Sequence, residues 1–293
     1  MTHDYFSPPF TEEVLSEAKR RGSRRKVPHR PTTSATSPVN GGRKLDCNAR
    51  RLFAVVFAAI VFALPARAAS PFGDWAAVVV AGDWHAHDGS PSEIFDNARR
   101  DVSADLISLG FQPDNVAQFS VRPENYPRQS LMKSDGTTIG NTLWDLSNRT
   151  NAGCLVYFSS HGSPDGVVLG DDVYAPKTLA QAINNSCSDR PTVVIISACF
   201  SGVFVPALQA PNRMILTAAR PDRTSFGCGQ TDKYPYFDQC VLQSWPGMGD
   251  FPSLGRAVQA CVAAREKKEH MVPPSEPQLS IGATAATSLP RWR

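Results

Sequence analysis

No apolar run in this 293-residue chain reaches the roughly 20 residues that a bilayer-spanning helix needs. The longest, "LFAVVFAAIVFAL" at 52–64, stops at Pro65. Internal repeats are also missing, which excludes solenoid and propeller architectures. The body of the chain lacks a net positive charge. Residues 1–51 hold 11 Lys/Arg against 5 Asp/Glu, and the remaining 242 residues hold 19 against 22. A mildly acidic body argues against a nucleic-acid-binding surface. Histidines number only 6, and beyond "DWHAHDG" at 83–89 no His, Asp and Cys recur at ligand spacing. That segment reads as a polar loop lining a cleft; no metal and no cofactor is called for.

The apolar run at 52–64 follows Arg50-Arg51 and precedes Ala66-Arg67-Ala68. A positive flank, a short apolar centre and a small-x-small site are the three regions of a secretory signal peptide. An uncleaved N-terminal anchor is the alternative. The chain therefore divides into a basic, disordered leader (1–51), a signal peptide or anchor (52–69) and a body (70–293). The body is expected in an oxidising, extracytoplasmic space, periplasmic or secreted.

Within the body, apolar β-type runs alternate with helical periodicity. "WAAVVVAG", "NVAQFSV", "CLVYFSS", "TVVIISA", "RMILTAA" and "QLSIGA" read as strands. Between them lie helical stretches such as "SPSEIFDNARRDVSADLISLG", stopped by Gly110, and "PKTLAQAINNS". This alternation predicts an α/β domain of about six strands, mostly parallel, with helices on both faces.

Two of these strands end on chemically capable residues. "CLVYFSS" runs into His161-Gly162, and "TVVIISA" into Cys199. Ligands of open parallel sheets sit outside the carboxyl ends of the strands. If the two strands are neighbours, thiol and imidazole emerge on the same edge, as a nucleophile and its proton partner require. Taken singly, a strand-end cysteine is a small buried hydrophobe and His-Gly is a turn. Together, after two consecutive apolar strands, they read as a catalytic pair. The N–H groups of Gly162 and Cys199 are candidates for an oxyanion hole.

"YFSSHG" followed by "VVIISAC" resembles the two catalytic blocks of the caspase-like cysteine peptidases, and more closely those of the legumain family, peptidase family C13. "LTAARPDRTSFGC" (216–228) and "WAAVVVAG" extend the resemblance. It implies a caspase-like fold, catalytic roles for His161 and Cys199, and a substrate pocket including Ser197, Ser225 and Asp238. Ser197 stands where the family has Glu, and the family's Asn-Tyr-Arg-His group is absent after the first strand. Strict asparagine specificity is therefore not expected; one carboxylate and two hydroxyls suit a basic side chain better.

The expected activity is hydrolysis of peptide bonds through an acyl-enzyme. A transpeptidase of the same fold and an inactive peptide-binding module are the alternatives, and the oligomeric state is left open. Among the cysteines, Cys228 and Cys240 bracket the polar "GQTDKYPYFDQ" and are expected to pair. Cys154 with Cys187 is the second expected pair, which leaves Cys261 unpaired.

Overall fold

The computed structural model describes residues 70–292. The basic leader and the signal peptide or anchor lie outside the described residues. Seven strands form the main sheet: β1 (Trp75–Ala81), β2 (Val116–Ser120), β3 (Leu131–Lys133), β4 (Gly153–Ser159), β8 (Thr192–Ser197), β9 (Arg213–Thr217) and β10 (Gln278–Ile281). Their order is β10-β9-β8-β4-β1-β2-β3, all neighbours parallel except β10 on β9. The six predicted strands are all present; the seventh, β3, is a three-residue edge too short to leave a periodic signal.

Side-chain alternation sorts the strands into two layers. Ala77, Val79, Leu155, Tyr157, Val193 and Ile195 face one way, while Val78, Val80, Val156, Phe158, Val194 and Ile196 face the other. On the first face pack α1 (Ile94–Ser108), α5 (Tyr236–Ser244), α6 (Phe251–Lys268) and α7 (Ala285–Ser288). Helices α2 (Gly136–Arg149), α3 (Pro176–Cys187) and α4 (Phe204–Leu208) cover the second. Strands β1, β4 and β8 are buried along their whole length, which is why they read as unbroken apolar runs. Asp135 caps α2 by accepting from the Thr138 N–H at 2.8 Å, and Asp250 caps α6 through the Ser253 N–H at 2.7 Å.

One disulfide joins Cys154 on β4 to Cys187 on α3, as expected. The second corrects the sequence reading: Cys240 pairs with Cys261, and Cys228 is free. The cause is helix α5. "GQTDKYPYFDQ" reads as a loop, but from Tyr236 onward the chain is helical and turns Phe237, Asp238, Cys240 and Val241 inward. Cys240 thereby meets the partner helix α6 rather than the loop before it.

A small antiparallel sheet, not foreseen from the sequence, follows β4 directly. It comprises β5 (Gly162–Ser163), β6 (Gly166–Leu169) and β7 (Asp172–Tyr174). The Val168 N–H donates to the His161 carbonyl at 3.0 Å, so this sheet pins the backbone at the point where β4 ends.

Candidate active site

The pairing register lines up three strand ends. Ala81 of β1 lies opposite Ser159 of β4, and Ser159 opposite Ser197 of β8. Asp83, His161 and Cys199 each follow these residues by two positions, so all three emerge at one level of the carboxyl edge. His161 and Cys199 share a cleft of about 480 Å³ whose wall includes Ser225, Phe226, Cys228, Asp232, Tyr236 and Met271.

Cys199 leaves β8 on a tight turn. Phe200 adopts a left-handed conformation at φ 58° and anchors its N–H to the Arg223 carbonyl at 2.8 Å. A bulky non-glycine residue in that region is strained, and the turn it makes brings the thiol out of the strand. Ser225 lies against the sulfur: its N–H is 3.3 Å and its hydroxyl 3.6 Å from Sγ. The Cys199 N–H itself makes no hydrogen bond among the described residues.

Gly162 is required by the packing of the two strand ends. A Cβ there would lie 2.3 Å from the Cys199 carbonyl oxygen and 3.0 Å from Cβ of Ala198. The segments carrying His161 and Cys199 are thus packed backbone to backbone, and any side chain at 162 would push them apart.

His161 is oriented by a backbone group. Its Nε2 is 3.1 Å from the His85 carbonyl oxygen. A carbonyl only accepts, so Nε2 carries the proton and Nδ1 is left as the basic nitrogen. Phe95 packs edge-on against the ring, with centroids 5.0 Å apart. The loop supplying the carbonyl is folded by Asp83. One oxygen of this buried carboxylate accepts from the Trp84 N–H at 2.6 Å, the His85 N–H at 3.1 Å and His85 Nδ1 at 2.8 Å. Across the cleft, the His87 N–H donates to the Cys228 carbonyl at 2.8 Å. The histidine-rich loop therefore lines the cleft, and its imidazoles are tied to Asp83 and Cys228. Among the described residues no group of His, Cys, Asp and Glu is arranged to hold a metal ion.

Of the three residues expected to line the pocket, only Ser225 reaches the cleft. Ser197 and Asp238 are brought together but lie beneath it, with Asp238 0% exposed. The Asp238 carboxylate accepts from the Ser197 hydroxyl at 2.7 Å, the Ser159 hydroxyl at 2.8 Å and the Tyr157 hydroxyl. Burial raises its pKa to about 6, against the opposing pull of those three donors. This cluster ties α5 to β4 and β8. Tyr157, Ser159 and the orienting role of the His85 carbonyl escaped the sequence reading, which took 83–89, Asp83 included, as a cleft-lining loop. The first two look like interior positions of an apolar strand, and a backbone carbonyl has no side-chain signature at all.

Cys228 sits half-buried in the same cleft, against Ala81, Ile94 and Phe95. Burial pushes its thiol pKa well up, and the neighbouring charges of Cys199, Asp238 and Asp232 add to this.

Among solved structures, the chain is similar to caspase-1 from Spodoptera frugiperda at 16% identity, over 72% of this chain and 87% of that one, with a TM-score of 0.51. That likeness shows a caspase-like fold. No curated protein matches the chain. The profile of the Peptidase C13 family matches residues 72–255, more than half of the sequence, and the chain belongs to that family of cysteine peptidases.

Proposed function

We propose that the protein is an exported cysteine endopeptidase in which Cys199 and His161 act as the catalytic dyad. The observation that carries this is the common cleft: nucleophile and imidazole at one sheet edge, with the ring held so that Nδ1 is free. In the first step the Cys199 thiol proton passes to His161 Nδ1 and the sulfur attacks the scissile carbonyl carbon. The oxyanion is met by the N–H groups of Cys199 and Gly162. Collapse of the intermediate breaks the C–N bond, and Nδ1 returns its proton to the leaving amine. Water then attacks the thioester, giving the carboxylic acid and restoring the thiol.

Cys199 and His161 make no hydrogen bond to each other; Sγ is held by Ser225 instead. A gap between the two suits a mechanism in which the substrate carbonyl enters between sulfur and imidazole. Protein or peptide substrates follow from this chemistry. Two disulfides are consistent with an oxidising, extracytoplasmic location, and no helix among the described residues is long and apolar enough to cross a membrane.

The test is labelling by a panel of peptidyl probes carrying a thiol-reactive group, with wild type against Cys199→Ala. Labelling at Cys199, lost in Cys199→Ala and strongly slowed in His161→Ala, supports the reading. A Cys199→Ala protein that still cleaves peptides at the wild-type rate overturns it.

A further inference from the structure

Among the described residues the cleft wall contains one carboxylate, Asp232, and neither lysine nor arginine. Asp232 is half-buried, and its side chain makes a single hydrogen bond among the described residues: Oδ2 accepts from the Gly229 N–H at 2.9 Å. The other oxygen retains its full accepting capacity. This differs sharply from Asp238, whose two oxygens are occupied by three hydroxyls below the cleft. Between the nucleophile and Asp232 runs the segment Ser225–Gly229, which starts in contact with Sγ and ends at the N–H that fixes the carboxylate. A Cβ at Gly229 would lie 3.0 Å from Oδ2 of Asp232, so the glycine leaves that oxygen uncrowded, while Phe226, Tyr236 and Met271 give the same wall an apolar surface.

Resting on the peptidase reading, we infer that Asp232 determines specificity, and that the residue preferred before the scissile bond is basic, arginine ahead of lysine. A long side chain with an apolar stem and a cationic end matches a wall that is apolar along its length and acidic at one place. The planar guanidinium can give two N–H groups to one carboxylate, and an ammonium acts only as a point charge. An asparagine side chain has no matched donor and acceptor pair at this place, and a leucine leaves the carboxylate without a cation.

The experiment uses the full chain and a matched series of substrates and thiol-reactive probes that differ only in the residue before the scissile bond: Arg, Lys, Asn or Leu. Wild type should rank Arg first. Asp232→Asn should lower kcat/KM for Arg by about 10- to 100-fold while leaving Leu within about threefold. Asp232→Glu should recover part of the loss. The asparagine variant keeps an oxygen for the Gly229 N–H. The readout is the Arg-to-Leu ratio within one variant, so partial unfolding, which lowers both rates alike, cancels. A wild-type preference for Asn or Leu overturns the inference, as does a ratio unchanged in Asp232→Asn. If Cys199 is labelled but Arg brings no advantage, this inference fails and the peptidase reading stands. If no probe labels Cys199, both fall.

Discussion

Two polar clusters share the carboxyl edge of the sheet, two residues apart along β4 and β8. The inner one joins Ser159, Ser197 and Tyr157 to Asp238; the outer one is His161 and Cys199 with their attendants. In the inner cluster both carboxylate oxygens have hydroxyl partners and nothing reaches solvent. In the outer cluster valences are spare among the described residues: Nδ1 of His161 is unengaged, the Cys199 N–H is unpaired, and Asp232 has an open oxygen. Resemblance to a family places residues of both clusters in the site. Hydrogen-bond accounting separates them, because a buried group already satisfied gains little from a substrate, whereas an unpaired one gains much.

The largest effect that could break this contrast is loss of the dyad. Cys199→Ala and His161→Ala should each reduce kcat/KM by three or more orders of magnitude, and the double variant should be little worse, since the two act as a unit. Steady-state assays with an Arg-containing peptide would show it; additive losses would mean the residues work separately.

The inner cluster should instead appear in stability. Asp238 titrates at about 6 in the folded protein, above the ordinary aspartate value near 3.9 that it has when unfolded. The folded state therefore binds this proton more tightly. Its contribution to stability is complete below about pH 4 and is lost as pH rises through about 6, a change on the order of 3 kcal/mol. Denaturant titrations of wild type against Asp238→Asn across pH 4 to 8 should give a difference that declines over that window. A flat difference would place Asp238 with the groups of ordinary pKa and weaken the contrast.

Gly162→Ala lies between the two clusters in expected size. The added methyl meets the Cys199 carbonyl, so kcat should fall by about 30- to 100-fold, as misplacement of reacting groups by around an ångström does. A variant with unchanged kcat would show that the two segments can separate freely.

Asp83→Ala should have a smaller effect. Asp83 holds the loop whose carbonyl orients His161, so kcat should fall by less than in Gly162→Ala, with KM little changed. An equal change in KM would instead assign Asp83 to substrate binding.

Cysteine reactivity sharpens the comparison last. In the folded body two thiols should titrate with a disulfide reagent, Cys199 fast and Cys228 slowly, because burial raises the Cys228 thiol. Equal rates would contradict that burial.

Much of the fold is legible because doubly covered parallel strands must be apolar on both sides. "WAAVVVAG", "CLVYFSS" and "TVVIISA" announce themselves, and so does the polar residue that ends each run. Shorter elements leave too little pattern, as with β3 and the hairpin after His161. Helix α5 is masked by the polar "GQTDK" preceding it, and with it went the partner of Cys240.

By itself, then, the sequence determined the layered α/β architecture, the strand ends and the Cys199–His161 pair, since periodicity and chain order are local properties of the residues. Only the tertiary structure decided the rest. The partner of Cys240 depends on which helix packs beside α5. The group that orients His161 is a main-chain carbonyl, identical in every residue, so only its position marks it. Which of two carboxylates is free for a substrate depends on where three hydroxyls from other segments fall, and in this fold they fall on Asp238 and leave Asp232 open.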